Sequence, residues 1–207
     1  MFGTRLINRG EKDLAPLREI TTQTREASAL LTKVFDQKGK RHDQDCLRIK
    51  EISEICAAMV RETAERLKHS LASSFDREDV YALVLGMSTI VHQLEMLTKS
   101  VNRYKVRHYT PEMIGLADRI RLIVLELDQL VPMINRPREL EERLRIVQRI
   151  QKESQLLHRD ALGKLFRSVM PATDALMYKD LYDYLETILA RCQYVGSLME
   201  RVSIKQA

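Results

Sequence analysis

Apolar residues recur along this chain at intervals of three and four. Val80, Leu83, Met87, Ile90, Leu94, Leu97 and Val101 form one such series. Leu181, Leu185, Ile188, Cys192, Val195, Met199 and Val202 form another. This spacing draws a narrow apolar stripe down a helix, the seam by which it packs lengthwise on others. No segment alternates with period two, so no strand is expected.

Start and stop signals divide the chain into six expected helices. Asp13 and Pro16 open the first, which ends near Gly39. The second spans about Asp43 to Ser73. Asp76 is a good N-cap for the third, with Glu78 and Asp79 in its first turn, where the helix dipole favours carboxylates. That helix continues to about Arg107. Thr110-Pro111 caps and opens the fourth, which ends between Pro132 and Asn135. Pro137 begins the fifth, which reaches about Arg167. After Pro171, Thr173 or Asp174 caps the sixth, which runs to about Lys205. Helices of about 30 residues are about 45 Å long. Joined by short connections, they make an antiparallel all-α bundle.

The two halves share a layout: a helix, a second helix ending in an apolar cluster (Leu71 to Phe75; Leu165 and Phe166), a break, then a long seam helix. The expected organisation is one helical domain over residues 1–207. Its pseudo-repeats of three helices cover about 14–107 and 110–205, behind a flexible tail over 1–12.

Composition agrees. Seven glycines and five prolines in 207 residues are too few for the turns of sandwiches and barrels. Charged residues make up 30% and apolar ones 44%, which suits neither disorder nor a membrane span. The uncharged run from Ala82 to Val91 is too short to cross a bilayer, and Met1 to Asp13 lacks the apolar core of a secretory signal. Cys46, Cys56 and Cys192 are an odd number without metal-binding spacing, so free thiols and a cytoplasmic location are expected. The formal charge of +5 is mild, and acids intersperse the bases, so nucleic acid is not the expected partner.

Candidate chemistry is sparse. No nucleophile elbow, phosphate loop or zinc-protease motif occurs, so no catalytic residue is assigned and no enzyme is expected. His42, His69, His92, His108 and His158 are scattered. His92 lies beside the seam, three residues before Glu95, the reverse of the Glu-x-x-His spacing of di-iron bundles. The stretch Lys99, Arg103, Lys105, Arg107 and His108 contains no acid. Such cations complement a helix C-terminus, and they also make a candidate patch for a partner or an anionic membrane. A second run, from Arg136 to Arg149, is diluted by Glu139, Glu141 and Glu142 and reads as a solvated face.

The segment Ser74-Phe75-Asp76-Arg77-Glu78-Asp79-Val80, between two long helices, resembles the PhoU-like phosphate-transport regulators. More narrowly, it resembles the single-chain branch linked with Pit-type phosphate transporters. Lys179-Asp180-Leu181-Tyr182-Asp183-Tyr184-Leu185-Glu186, followed by Arg191-Cys192, is similar to the last helix of that family. The resemblance implies two three-helix bundles side by side. It also implies acidic pairs four residues apart on inward helix faces, which hold metal clusters in metal-binding members.

This chain departs from that pattern. The aligned positions are Ser53 and Ala57 on the second helix, and Ser88, Thr89 and His92 on the third. They are Gln151 and Gln155 on the fifth, and Glu186 and Ala190 on the sixth. One of the nine is a carboxylate. Degenerate metal positions are therefore expected, with no metal or cofactor held and with Ser53, Ser88, Thr89, Gln151, Gln155 and Glu186 hydrogen-bonded between helices. The function implied by the resemblance is a non-enzymatic cytosolic regulator or adaptor of phosphate uptake. Its expected partner is a Pit-type phosphate transporter, with peripheral contact at the inner membrane and a homo-oligomer as further expectations. The rival readings are a metal-binding bundle with an enzymatic or redox role, and a nucleic-acid-binding bundle.

Overall fold

The computed structural model describes residues 14–36, 43–69, 75–106 and 108–206. They form helices α1 (Ala15–Asp36), α2 (Asp43–His69), α3 (Arg77–Arg103), α4 (Pro111–Leu130), α5 (Pro137–Arg167) and α6 (Ala172–Lys205). A short 3-10 turn, Val131–Met133, carries Pro132 at the end of α4. No strand occurs among the described residues. The expected tail over 1–12 and the Asp13 start lie outside the described residues, as do Gly39 and the apolar cluster from Leu71 to Ser74.

Local signals account for most boundaries. The Asp76 carboxylate accepts from the Glu78 N–H at 3.0 Å, and Thr110 Oγ1 accepts from the Met113 N–H at 3.2 Å ahead of Pro111. Two expectations need correction. α6 begins at Ala172 with Pro171 at its cap position, so neither Thr173 nor Asp174 caps it, and Asp174 sits in the first turn. α3 stops at Arg103, before the expected Arg107. Lys105 adopts φ 53°, the left-handed conformation that ends helices, and the Val106 N–H turns back to the Val101 carbonyl at 3.1 Å. A lysine there carries the strain that glycine avoids.

Within each half, every helix packs on the other two: α1, α2 and α3 in the first, α4, α5 and α6 in the second. Across the halves, α1 packs on α4 and α3 on α6. First helix thus meets first and third meets third, while α2 and α5 occupy the flanks. The resulting core is continuous. All seven residues of the α3 stripe and all seven of the α6 stripe are buried. Each fully buried leucine contributes about 2 kcal/mol from area alone.

By length and composition α3 could span a bilayer, contrary to the expectation from the Ala82–Val91 run. It packs instead against α1, α2 and α6, as the core helix of a bundle does. Where α3 crosses α6 the backbones approach closely. A Cβ at Gly86 would stand 2.8 Å from Val195 Cγ2. Several buried hydroxyls bond within their own helices, as Thr24 does to the Ile20 carbonyl at 2.8 Å and Ser154 to that of Ile150 at 2.7 Å.

Side-chain bonds fix the two poles. At one pole Tyr104 Oη donates to Asp180 at 2.7 Å, Tyr178 Oη donates to the His108 carbonyl at 3.0 Å, and Lys164 Nζ donates to Glu112 at 2.6 Å. The α3–α4 and α5–α6 connections therefore lie together. At the opposite pole Lys205 Nζ, near the end of α6, donates to the buried Asp79 at 2.7 Å and to Asp76 at 3.4 Å.

Candidate functional site

The flank helices α2 and α5 each line a groove against the third helix of their half, and the nine aligned positions divide between these grooves and the surface. In the first half, Ser53 of α2 is buried and hydrogen-bonds Glu95 of α3. The Glu95 side chain is 9% exposed and accepts from Lys99 Nζ at 2.6 Å. Burial pushes its carboxyl up, but the bonds from Lys99 and Ser53 outweigh that, leaving it below its ordinary value. Beside this pair a cleft of about 270 Å³ opens among Asp43, Cys46, Lys50, Lys99 and Asn102. Its rim has both signs of charge and no dominant one.

Ala57 is exposed, Ser88 and Thr89 are half-buried, and the Thr89 hydroxyl donates to the Leu85 carbonyl of its own helix at 2.8 Å. The His92 side chain is 61% exposed, with Nδ1 3.7 Å from Glu95.

In the second half, Gln151 of α5 is buried with its Oε1 unpaired among the described residues. Two turns on, His158 is buried. Its Nδ1 lies 3.4 Å from Glu186 of α6, its Nε2 has no partner among the described residues, and its ring meets Tyr182 edge-on at 6.3 Å. The Tyr182 hydroxyl is 2.5 Å from Thr110 Oγ1. Gln155 and Ala190 are exposed, and the Glu186 carboxylate is half in solvent.

The expected inter-helix hydrogen bonds therefore form at Ser53, while Glu186 reaches across to His158. They do not form at Thr89, which bonds its own helix, or at Gln155, which faces solvent. Gln151 points inward without a partner for its carbonyl. Sequence reasoning missed Glu95 as the inward carboxylate. Its signal was a second apolar row beside the seam, Val84, Val91 and Thr98, with Glu95 one turn from both Val91 and Thr98.

A polynuclear metal centre needs several convergent anionic oxygens. Among the described residues no three His, Cys, Asp or Glu side chains gather closely enough to hold an ion. Glu95 already has its cation, the Lys99 ammonium. Among the described residues these side chains therefore present no cluster of anionic oxygens of the kind that the resemblance implies. The three cysteines are buried thiols. Burial pushes Cys46 up to about 11 and Cys56 and Cys192 up to about 12, so the thiolate that redox chemistry needs is scarce at neutral pH.

The basic stretch is also redistributed. Lys99 is committed to Glu95, Arg103, Lys105 and His108 are exposed at the α3–α4 connection, and Arg107 lies outside the described residues.

No protein-family profile matches the chain, and no curated protein matches it by sequence. Solved structures do match. A PhoU-like protein from Shewanella oneidensis MR-1 aligns with 93% of this chain and 99% of its own at a TM-score of 0.83 and 16% identity. A second protein of that organism, assigned as a PhoU-like phosphate regulatory protein, aligns over the same shares at 0.81 and 16%. The pairing of two three-helix units, first with first and third with third, is thus the PhoU-like fold, and this chain has it along nearly its whole length.

Proposed function

We propose that this protein is a non-enzymatic regulator of phosphate uptake. In this reading it is a cytoplasmic adaptor that docks on a membrane phosphate transporter, of the Pit type by the resemblance of its sequence motifs, and that works without a metal cluster. The observation that carries the reading is the fold likeness over 93% of the chain, which includes a protein assigned to phosphate regulation. The grooves support the metal-free part. A lysine neutralises the buried carboxylate of the first half, and a neutral glutamine occupies the second. The buried thiols, pushed up to about 11 and 12, favour an interaction protein over a thiol-based redox enzyme.

Deleting the gene and measuring uptake of labelled phosphate tests the regulatory reading. Altered uptake, restored by the intact gene, is the expected result, and unchanged uptake at both low and high phosphate overturns it. Elemental analysis of protein purified without chelator tests the metal-free part. Fewer than one tightly held transition ion per chain is expected, and two or more reject it.

A further inference from the structure

The turn between α5 and α6 carries large apolar side chains in solvent. Val169 is fully exposed, and Phe166 and Leu176 are each 65% exposed. Burying such side chains is worth enough that a water-facing cluster at one tip calls for an occupant. Between Phe166 and Met177 the charged residues are Arg167 and Asp174, which cancel.

Two bonds set how far this tip projects. Tyr104, just past the end of α3, is tied to Asp180, and Lys164 of α5 is tied to Glu112 at the start of α4. α6 begins eight residues before Asp180. At 1.5 Å per residue the start of α6 stands roughly 12 Å beyond Asp180 and Leu176 roughly 6 Å, while Phe166, two residues past Lys164 on α5, stands roughly 3 Å beyond the level of Glu112. At that lower level Arg103 and Lys105 are exposed and form no ion pair among the described residues. Neighbouring cations are committed, Lys164 to Glu112 and Lys179 to Asp183. Lys105 is also the residue held at φ 53°, where a glycine would relieve the backbone.

We propose that this pole binds an anionic lipid bilayer, with Phe166, Val169 and Leu176 entering the headgroup region and Arg103 and Lys105 meeting lipid phosphates behind them. The order of depths carries the inference. Interfacial segments bury apolar groups about 5–10 Å into the headgroup and acyl boundary while cations remain among the phosphates. Steps of roughly 3 to 12 Å along α5 and α6 fit that arrangement, and the cations Arg103 and Lys105 below them, unpaired among the described residues, complement an anionic surface. A second copy of the chain is a poor occupant, since one convex turn offers far less than the roughly 800 Å² per partner of a stable interface. The excess of positive charge is small, so apolar entry supplies most of the affinity and charge sets the lipid preference. Protein-free vesicles contain no transporter, so this inference stands or falls separately from the regulatory reading.

Cosedimentation with phosphatidylcholine vesicles, with and without a quarter phosphatidylglycerol, tests the proposal on the full chain. Wild type is expected to pellet with the anionic vesicles and to remain in solution with neutral ones. Phe166→Asp with Val169→Asp should weaken binding at least ten-fold at unchanged thermal stability, because both side chains are exposed. Lys105→Gly, which relieves the backbone, should fold at least as well and bind about five-fold more weakly, the worth of one cation at such a surface. The chain lacks tryptophan, so Val169→Trp gives a single reporter whose emission should shift to the blue on anionic vesicles. Wild type left in the supernatant with anionic vesicles overturns the proposal, and so does undiminished binding by the double aspartate variant. A blue shift that follows protein concentration without vesicles assigns the tip to a second copy instead.

Discussion

The α2–α3 groove and the α5–α6 groove occupy corresponding places in the two halves but solve the burial of polar atoms differently. The first holds a true anion, Glu95, and satisfies it with the Lys99 ammonium and the Ser53 hydroxyl. The second holds the amide of Gln151 and the imidazole of His158, and leaves one atom of each unpaired among the described residues. A buried charge is tolerable only with its partners, whereas a buried neutral amide survives with a smaller penalty. The first groove is therefore a committed electrostatic unit, and the second is a place where stability has been left unclaimed.

The largest expected effect comes from breaking the committed unit. Lys99→Met strands the Glu95 carboxylate, and urea denaturation should show a loss of about 2 kcal/mol. Adding Glu95→Gln should restore most of that loss, because the unpaired charge has gone. If Lys99→Met alone costs nothing, Glu95 is not the buried anion described.

Acid should act on the same unit. The folded Glu95 carboxyl sits below its ordinary value of 4.5, so its stabilisation is fully present above that value and is lost as pH falls through the folded one. Glu112, held down chiefly by the hydrogen bond from Lys164, acts in the same direction from the second half. Urea midpoints at pH 7 and pH 4 should fall less for Glu95→Gln than for wild type, and less again with Glu112→Gln added. A slope unchanged by both substitutions contradicts the assignment.

The smallest effect has the opposite sign. Gln151→Leu replaces an amide whose buried carbonyl lacks a donor with an apolar group of similar length. A gain of about 1 kcal/mol in the thermal or urea transition is expected. A loss of that size would contradict the unpaired carbonyl.

Helix positions were legible because periodicity and caps are local. Asp76, Thr110-Pro111 and Pro137 mark starts that the structure keeps, and both seven-residue stripes are buried throughout. Which polar residue on a helix faces inward was less legible, because rotation about the axis is set by the neighbouring helices. His92 and Glu95 show the difference within one turn: the first is exposed and the second buried. Ala57, Gln155 and Ala190 align with inward positions by the resemblance yet face solvent. The end of α3 at Arg103 departs from the expected Arg107 for a related reason. Nothing in Tyr104-Lys105-Val106 announces a left-handed residue, since lysine seldom adopts that conformation.

The close crossing of α3 and α6 has a consequence for how this sequence can vary. Because Gly86 and Val195 share one small space, growth at 86 must be matched by shrinkage at 195. A library randomised at both sites should return pairs of nearly constant combined bulk, alanine at 86 selecting alanine or glycine at 195. At this crossing the two halves can then vary only in step.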